Sequence, residues 1–119
     1  MNKPSTKDTP DSAAAELELE AMRQVSQASV ASQRELAARL GISVGKTNFL
    51  LRALLDRGFV KVENFRRSDN KLGYLYLLTP RGIAEKAQLT REFLFRKEQE
   101  YVRLQSQIAA LRDELAGGE

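Results

Sequence analysis

The chain has 119 residues and a formal net charge of +3, which suits one small domain plus an extension. It contains no cysteine and no histidine. This excludes disulfides, thiol redox chemistry, zinc sites of the Cys/His type and imidazole catalysis. No apolar run approaches the length of a membrane span, and the N-terminus lacks the apolar core of a signal peptide. We therefore expect a soluble cytoplasmic protein that is not an enzyme and uses no cofactor and no metal.

The charge is distributed unevenly along the chain. Residues 1–30 carry a net −2, residues 31–81 carry +6 and residues 82–119 carry −1. A concentrated basic patch is the electrostatic footprint of nucleic-acid binding. A run of charge alone is more often a solvated face, so the interpretation depends on what else the middle segment contains.

The N-terminal part reads as a tail followed by a helix. Residues 1–11 are polar, with two prolines and no apolar pattern, which predicts a disordered tail. Asp11 or Ser12 can cap a helix over residues 13–28. The apolar face of this helix is formed by Leu19, Met22 and Val25.

Two helices joined by a tight turn form the centre of the chain. Residues 33–40 have helical apolar spacing, and Gly41 ends this helix because glycine accepts the left-handed conformation. Ser43 is placed to N-cap a second helix, which runs to about Arg57 and ends at Gly58. The predicted buried face of the second helix comprises Thr47, Leu50 or Leu51, and Leu54.

Such a pair is a helix-turn-helix, whose second helix can lie in the DNA major groove. Lys46 and Arg52 can donate to guanine edges or phosphates, and Asn48 can pair with adenine in a bidentate way. The helix start at Ser43 attracts a phosphate through its free N–H groups. The alternative is an ordinary helical hairpin with a solvated outer face. The predicted exposed face comprises Val44, Gly45, Lys46, Asn48, Phe49 and Arg52.

The pattern then changes to β. Residues 59–65 and 74–78 read as two strands around a turn-rich basic loop at 66–73, which makes a hairpin. We expect Val60 and Val62 to pack with Leu75 and Leu77 against the helices. The loop cations, which would reach a phosphate backbone or the minor groove, are Arg66, Arg67 and Lys71.

A long helix closes the chain. Thr79 can cap it and Pro80 suits its first turn. From residue 81 to about 116 it would span roughly 54 Å, too long to pack along so small a domain. Eight of ten heptad seam positions are apolar or aromatic, which favours a homodimeric coiled coil over a helix folded back on its own domain. The ten positions are Ile83, Thr90, Lys97, Leu104 and Leu111, alternating with Ala87, Leu94, Tyr101, Ile108 and Leu115.

These elements predict an α+β, mainly α, fold: a winged helix-turn-helix with a two-stranded wing and a long C-terminal coiled-coil helix. We divide the chain into a tail (1–11), the DNA-binding domain (12–80), the dimerisation helix (81–116) and a flexible end (117–119). The residues expected to carry dimerisation are Leu94, Tyr101, Leu104, Ile108, Leu111 and Leu115.

Five short motifs add a resemblance. SQRELA, LGIS followed by GK, KVENF, NKLGY and LLTPRGI lie in this order. Together they resemble the MarR-type winged-helix regulators, and more narrowly the small bacterial subgroup associated with exopolysaccharide (EPS) gene clusters, over about residues 17–112. The resemblance implies a bacterial transcriptional regulator that binds operator DNA as a dimer. It places Ser43, Lys46, Asn48 and Arg52 at recognition-helix positions and Arg66, Arg67 and Lys71 at wing positions.

The chain departs from the larger MarR proteins, which build their dimer interface from helices at both ends and often bind a small phenolic ligand. Here a short N-terminal helix and one long C-terminal helix flank the domain. No constellation of polar residues defines an effector pocket, so a small-molecule effector stays open. The expected partners are double-stranded DNA and a second copy of the chain. The alternatives are a nonspecific DNA-binding protein or a protein-interaction module, to which an exposed Phe49 would contribute.

Overall fold

The structure is a computed structural model that describes residues 10–28, 32–66 and 72–117. Its elements are, in chain order, α1 (Pro10–Ala28), α2 (Gln33–Leu40), α3 (Val44–Asp56), β1 (Val60–Arg66), β2 (Leu72–Leu78) and α4 (Pro80–Gly117). The predicted architecture of helix, helix-turn-helix, two-stranded wing and long C-terminal helix is confirmed. Most of the proposed tail at 1–11 and of the proposed end at 117–119 lies outside the described residues. However, α1 begins at Pro10, ahead of the predicted caps Asp11 and Ser12, and α4 reaches Gly117.

The turn between α2 and α3 forms for the local reasons that the sequence indicates. Gly41 is left-handed, with φ 71°, and its N–H donates to the carbonyl of Ala37 at 2.9 Å. Ser43 then caps α3, its Oγ accepting from the Lys46 N–H at 3.0 Å. Leu36 and Leu51, both completely buried, pack together and hold the two helices at a fixed angle.

The wing is an antiparallel pair in which Val60 lies opposite Leu78 and Val62 opposite Tyr76. Directly opposed residues share a face, and Val60, Tyr76 and Leu78 contact the main core cluster. Val62 shares that face but is exposed, because it lies further from the helices.

The prediction that Leu75 and Leu77 pack with Val60 and Val62 against the helices is wrong. Leu75 and Leu77 lie opposite Glu63 and Lys61, on the other face of the wing. The run YLYLL is apolar or aromatic at every position. It therefore has no alternation of apolar and polar residues that would show which set of side chains faces the helices. The register resolves what the pattern leaves open.

The wing strands are also longer than predicted. Arg66 is the last residue of β1 and pairs with Leu72, so it belongs to the ladder rather than to the loop. Backbone hydrogen bonding extends the ladder past the apolar run because it does not depend on side-chain type. Residues 67–71 lie outside the described residues.

The start of α4 is fixed against the corner between α3 and β1. Thr79 Oγ1 accepts from the Gly82 N–H at 3.0 Å and donates to the carbonyl of Gly58. A Cβ on Gly82 would lie 1.9 Å from the carbonyl oxygen of Phe59. Glycine is therefore required here by close approach of the backbone.

The core lies between α1, α3, the base of the wing and the first turns of α4. Leu89 belongs to it, so the packed unit extends beyond residue 80, at which the sequence analysis ended the domain. Every residue from 101 to 117 is exposed, and α4 continues without interruption through this stretch. The buried members of the main cluster are Leu19, Ala21, Met22, Leu50, Leu54, Phe59, Val60 and Leu89.

Candidate nucleic-acid interface

The two faces of α3 differ sharply in burial. Thr47, Leu50, Leu51 and Leu54 are buried, and the helical period that buries them directs the opposite face to solvent. Phe49 is 79% exposed, an unusual position for a large aromatic side chain. The exposed positions on this helix include Val44, Gly45, Lys46, Phe49 and Arg52, five of the predicted DNA-binding residues.

The cations of this face form no ion pair within the part of the chain that the structure describes. Lys46 and Arg52 form no ion pair with any residue of the described part of the chain, and neither does the exposed Arg34 of α2. Elsewhere Arg39 is bound to Glu35 at 2.9 Å. Cations without a protein partner keep their full charge for phosphates or guanine edges. Arg34 is an exposed cation of the preceding helix that the sequence analysis did not single out.

The N-terminus of α3 is open to close approach. An added Cβ on Gly45 would meet nothing within 4 Å, so the backbone can come near a large ligand surface. The Ser43 hydroxyl occupies the N–H of Lys46. The remaining N–H groups of the first turn, together with the helix dipole, favour a phosphate at this end.

Asn48 differs from its neighbours because it is half-buried and hydrogen-bonded. Its Oδ1 accepts from Gln33 Nε2 at 3.3 Å, across the turn from the first residue of α2. Gln33 was missed by the sequence analysis. Its contact depends on the angle between α2 and α3, and residues 15 positions apart show no local pattern that predicts it.

The described part of the wing includes both strands but not the loop between them. Lys61 forms an ion pair with Glu63 at 3.2 Å on the outer face. Arg66 lies at the end of β1, and Arg67 and Lys71 fall outside the described residues. The wing cations therefore stay a prediction from the sequence.

The outer part of the α4 seam has no partner among the described residues of one chain. Leu89 and Phe93 pack against the domain, and Arg96 forms an ion pair with Glu16 of α1 at 3.6 Å. Beyond this point the helix extends free of its own domain. The predicted dimerisation residues Leu94, Tyr101, Leu104, Ile108, Leu111 and Leu115 are all exposed.

The sequence and the fold were compared with those of known proteins. Residues 16–61 match a family described as winged helix-turn-helix DNA-binding. A MarR family protein of Mycobacterium tuberculosis, in complex with p-aminosalicylic acid, is 22% identical with a TM-score of 0.58 over 87% of this chain and 85% of that chain. The multiple antibiotic resistance repressor MarR is 22% identical, with a TM-score of 0.60 over 84% of this chain and 72% of that one.

The fold is that of the MarR-type regulators. A third structure, MepR, a transcription regulator of the Staphylococcus aureus multidrug efflux pump MepA, is 15% identical with a TM-score of 0.57 over 87% of this chain and 78% of that chain. No match was found among curated proteins. The matched family segment ends inside β1, so it includes the whole helix-turn-helix.

Two further observations on the described residues concern metal ions and membranes. Within the described ranges, no three acidic, histidine or cysteine side chains are grouped in a way that could hold a metal ion. Among the helices that the structure describes, none is long and apolar enough to cross a membrane.

Proposed function

We propose that the protein is a bacterial transcriptional regulator that binds operator DNA sequence-specifically as a homodimer. The observation that carries the proposal is the exposed face of α3, which combines an open helix start, an exposed aromatic ring and two cations with no ion pair among the described residues. These features suit a helix that enters the major groove and contacts base edges there. Its site of action is the nucleoid in the cytoplasm.

Each side chain of this face has a role that follows from its chemistry. Arg52 reads guanine through two parallel hydrogen bonds, and Lys46 neutralises a phosphate or donates to a guanine. Phe49 packs on a thymine methyl group, because an exposed ring gains most by contacting an apolar base edge. The wing cations Arg66, Arg67 and Lys71 bind phosphates and supply salt-dependent affinity without reading sequence.

The proposed dimerisation is based on the exposed outer part of α4. The 17 residues from 101 to 117 are all exposed and would extend about 25 Å beyond the domain. Their heptad positions are apolar, and a sustained heptad seam is stabilised by a partner helix. A second copy related by a two-fold axis provides that partner, and it presents two recognition helices to one duplex. The operator is therefore an inverted repeat.

The genes controlled are proposed from the sequence motifs alone. SQRELA, LGIS followed by GK, KVENF, NKLGY and LLTPRGI together resemble the EPS-associated subgroup, so we propose that the operator lies near exopolysaccharide genes. The operator that a selection experiment yields can be searched for in the source genome. Its absence from the neighbourhood of such genes would remove this part of the proposal and leave DNA binding intact.

The experiment is selection of bound fragments from a randomised DNA pool, followed by sequencing, with Arg52→Ala as the matched variant. We expect an enriched inverted repeat for the natural chain and a degenerate position in each half-site for the variant. Retention without enrichment would show a nonspecific binder and contradict the proposal.

A second candidate is a protein-interaction module. The exposure of Phe49 favours it, because exposed aromatic anchors are also frequent at protein interfaces. The same selection separates the two functions. Absence of any DNA retention at low salt would favour the interaction module.

A further inference from the structure

The exposed apolar seam of α4 begins well before the helix leaves its own domain. Ile83 and Leu94 lie on the part of α4 that packs against the core, yet they are 60% and 54% exposed, and Ala87 between them is exposed as well. We infer that this inner seam is the docking surface for the outer half of α4 from a second copy, so that the two α4 helices of the dimer run antiparallel. The inference rests on the proposed function, because it specifies how the homodimer is built.

One antiparallel register gives every seam position a facing residue. It is the register in which Ile83 lies opposite Leu115 of the second copy. A shift by one heptad in either direction leaves apolar positions at one end of the seam uncovered, so the seam is self-complementary in this register alone. The facing pairs, with one residue from each copy, are Ile83 with Leu115, Ala87 with Leu111, Thr90 with Ile108, Leu94 with Leu104, and Lys97 with Tyr101.

Lys97 distinguishes this arrangement from a parallel one. In a parallel pair each seam residue faces its own copy, so two Lys97 ammonium groups would meet in a layer shielded from water, where like charges repel. In the antiparallel register Lys97 faces Tyr101 of the second copy, whose ring face attracts a cation, and it lies level with Glu100 of that copy. Within one chain Lys97 Nζ lies 3.4 Å from Glu100 Oε1. Two lysines and two glutamates therefore form a balanced cluster of charges at the centre of the dimer.

The flanks of the seam also favour the antiparallel register. It places Lys86 beside Glu114 of the second copy at both ends of the helix pair, whereas a parallel pair would place Lys86 beside Arg91. Neither Lys86 nor Glu114 forms an ion pair with another described residue of its own chain. Glu98 approaches its own copy near the centre, an exposed like-charge contact that offsets part of this gain. The seam ends thus match the charges of an antiparallel copy.

The antiparallel pair also brings the two DNA-binding domains to one side. Leu89 and Phe93, which hold α4 on its own core, each precede a seam residue and so point about 100° away from the seam. A two-fold axis perpendicular to the plane of two antiparallel helices keeps such groups on the same side of the pair. The two Leu89 anchors then lie roughly 30 Å apart along the pair, from the rise per residue of a helix. This spacing is close to one turn of DNA, about 34 Å, as two adjacent half-sites require.

The first test is the distance between nitroxide labels in the dimer, measured by double electron–electron resonance on the full chain, which has no native cysteine. Asp113→Cys and Gln99→Cys each place one label on the exposed side of α4, opposite the seam. Antiparallel helices should hold the two labels at position 113 more than about 40 Å apart and those at position 99 about 20–30 Å apart. Short distances at both positions would show a parallel dimer and overturn the inference.

Charge reversal at the ends of the seam gives a second readout that needs no label. Lys86→Glu and Glu114→Lys should each raise the dimer dissociation constant by about three- to tenfold, because each places like charges together at both ends of the pair. The double variant should restore the constant to within about twofold of the natural value. Asp113→Lys, the same change of charge on the side opposite the seam, is the matched control and should have no effect. Sedimentation equilibrium measures all four, and a double variant as weak as the single ones would contradict the register.

The outcomes for this inference and for the proposed function differ. A dimer with short distances at both labels, or one that the double reversal does not restore, would overturn the antiparallel pairing and leave a homodimeric regulator supported. A chain that stays monomeric would overturn both the pairing and the proposed homodimer, and the seam would then belong to a different protein partner. Selection from the DNA pool is independent of these measurements and tests DNA recognition separately.

Discussion

Lys46 and Thr47 are adjacent in the sequence and have opposite environments in the fold. Thr47 is completely buried, and its hydroxyl donates to the carbonyl of Ser43 at 2.9 Å, so it is satisfied without water. Lys46 is exposed and has no ion pair among the described residues. The proposed function of α3 depends on this separation, because the buried face fixes the helix and leaves the exposed face available to a ligand such as DNA.

Arg52 carries the most direct prediction at this scale. Arg52→Ala should lower affinity for the selected operator by about 1–3 kcal/mol and relax preference at one base pair, the cost of losing a guanine contact. Binding isotherms on the operator and its single-base variants measure both effects. Arg91→Ala, an exposed arginine that donates to Gln88 on α4, is the control. Unchanged base preference in Arg52→Ala would remove this residue from the reading face.

Two glycines should respond in opposite ways to the same substitution. Gly82→Ala places a Cβ against the Phe59 carbonyl and should lower the free energy of unfolding by about 2–3 kcal/mol. Gly45→Ala adds a Cβ in open space and should raise it by up to about 1 kcal/mol, because alanine is the better helix former. Urea unfolding measures both.

Gly45 also links the stability of α3 to its binding of DNA. Gly45→Ala should weaken operator binding although it stabilises the helix, because the added methyl group stands where the DNA approaches. A Gly45→Ala protein that binds as tightly as the natural chain would show that α3 does not approach DNA by its N-terminus.

Residue-scale prediction from the sequence succeeded where local rules decide. The cap at Ser43, the left-handed Gly41 and the buried Thr47 all follow from short-range patterns. The Gln33 contact and the closeness of Gly82 to Phe59 could not be predicted. Both depend on how elements that are distant in sequence meet in space.

At the scale of elements, Arg57 joins three parts of the fold. Its guanidinium lies 3.0 Å from a Glu18 carboxylate oxygen on α1 and 3.9 Å from one of Glu85 on α4, and it stands over the Phe59 ring at 4.8 Å. A single cation at the end of α3 thus helps to fix the recognition helix relative to α1 and α4.

Arg57→Met should therefore lower the free energy of unfolding by about 1 kcal/mol, since it removes an ion-pair network and a cation–π contact while keeping most of the apolar stem. Arg23→Met, which loses a pair with Glu20 at 3.6 Å within α1, should cost less than about 0.5 kcal/mol. Urea unfolding at low and high salt compares the two. Equal costs would show that Arg57 does not act across elements.

The wing shows where element prediction reaches its limit. Its two strands and their order were evident from the β-branched and aromatic runs at 59–65 and 74–78. Which side chains of the second strand face the helices was not evident, because Leu75 and Leu77 alternate with equally apolar neighbours. A uniformly apolar strand indicates its existence and leaves the choice of buried face to the register.

At the scale of the whole molecule, the Cα positions extend 73 Å along the longest axis, far beyond a compact domain of this length. The additional length comes from the outer part of α4, which is exposed and packs against no other element in the described part of its own chain. An apolar seam on a protruding helix is stable in water mainly when a partner covers it.

Ile108→Glu tests this seam without disturbing the domain, because Ile108 is exposed in the single chain. A charge placed between two helices should raise the dimer dissociation constant by at least about 100-fold, while helical content falls only slightly. Sedimentation velocity measures the association. Ser106→Glu, exposed on the same helix and off the seam, should remain a dimer. A natural chain that sediments as a monomer would contradict the seam assignment.

The most direct test of a dimeric regulator is the affinity for the selected operator with and without about five base pairs inserted between its half-sites. Half a helical turn moves the second half-site to the opposite side of the duplex. A dimer whose two α3 helices are held by the α4 seam should then lose most of its affinity and bind with the strength of a single half-site. Unchanged affinity after the insertion would show that the recognition helices act independently and would contradict the account.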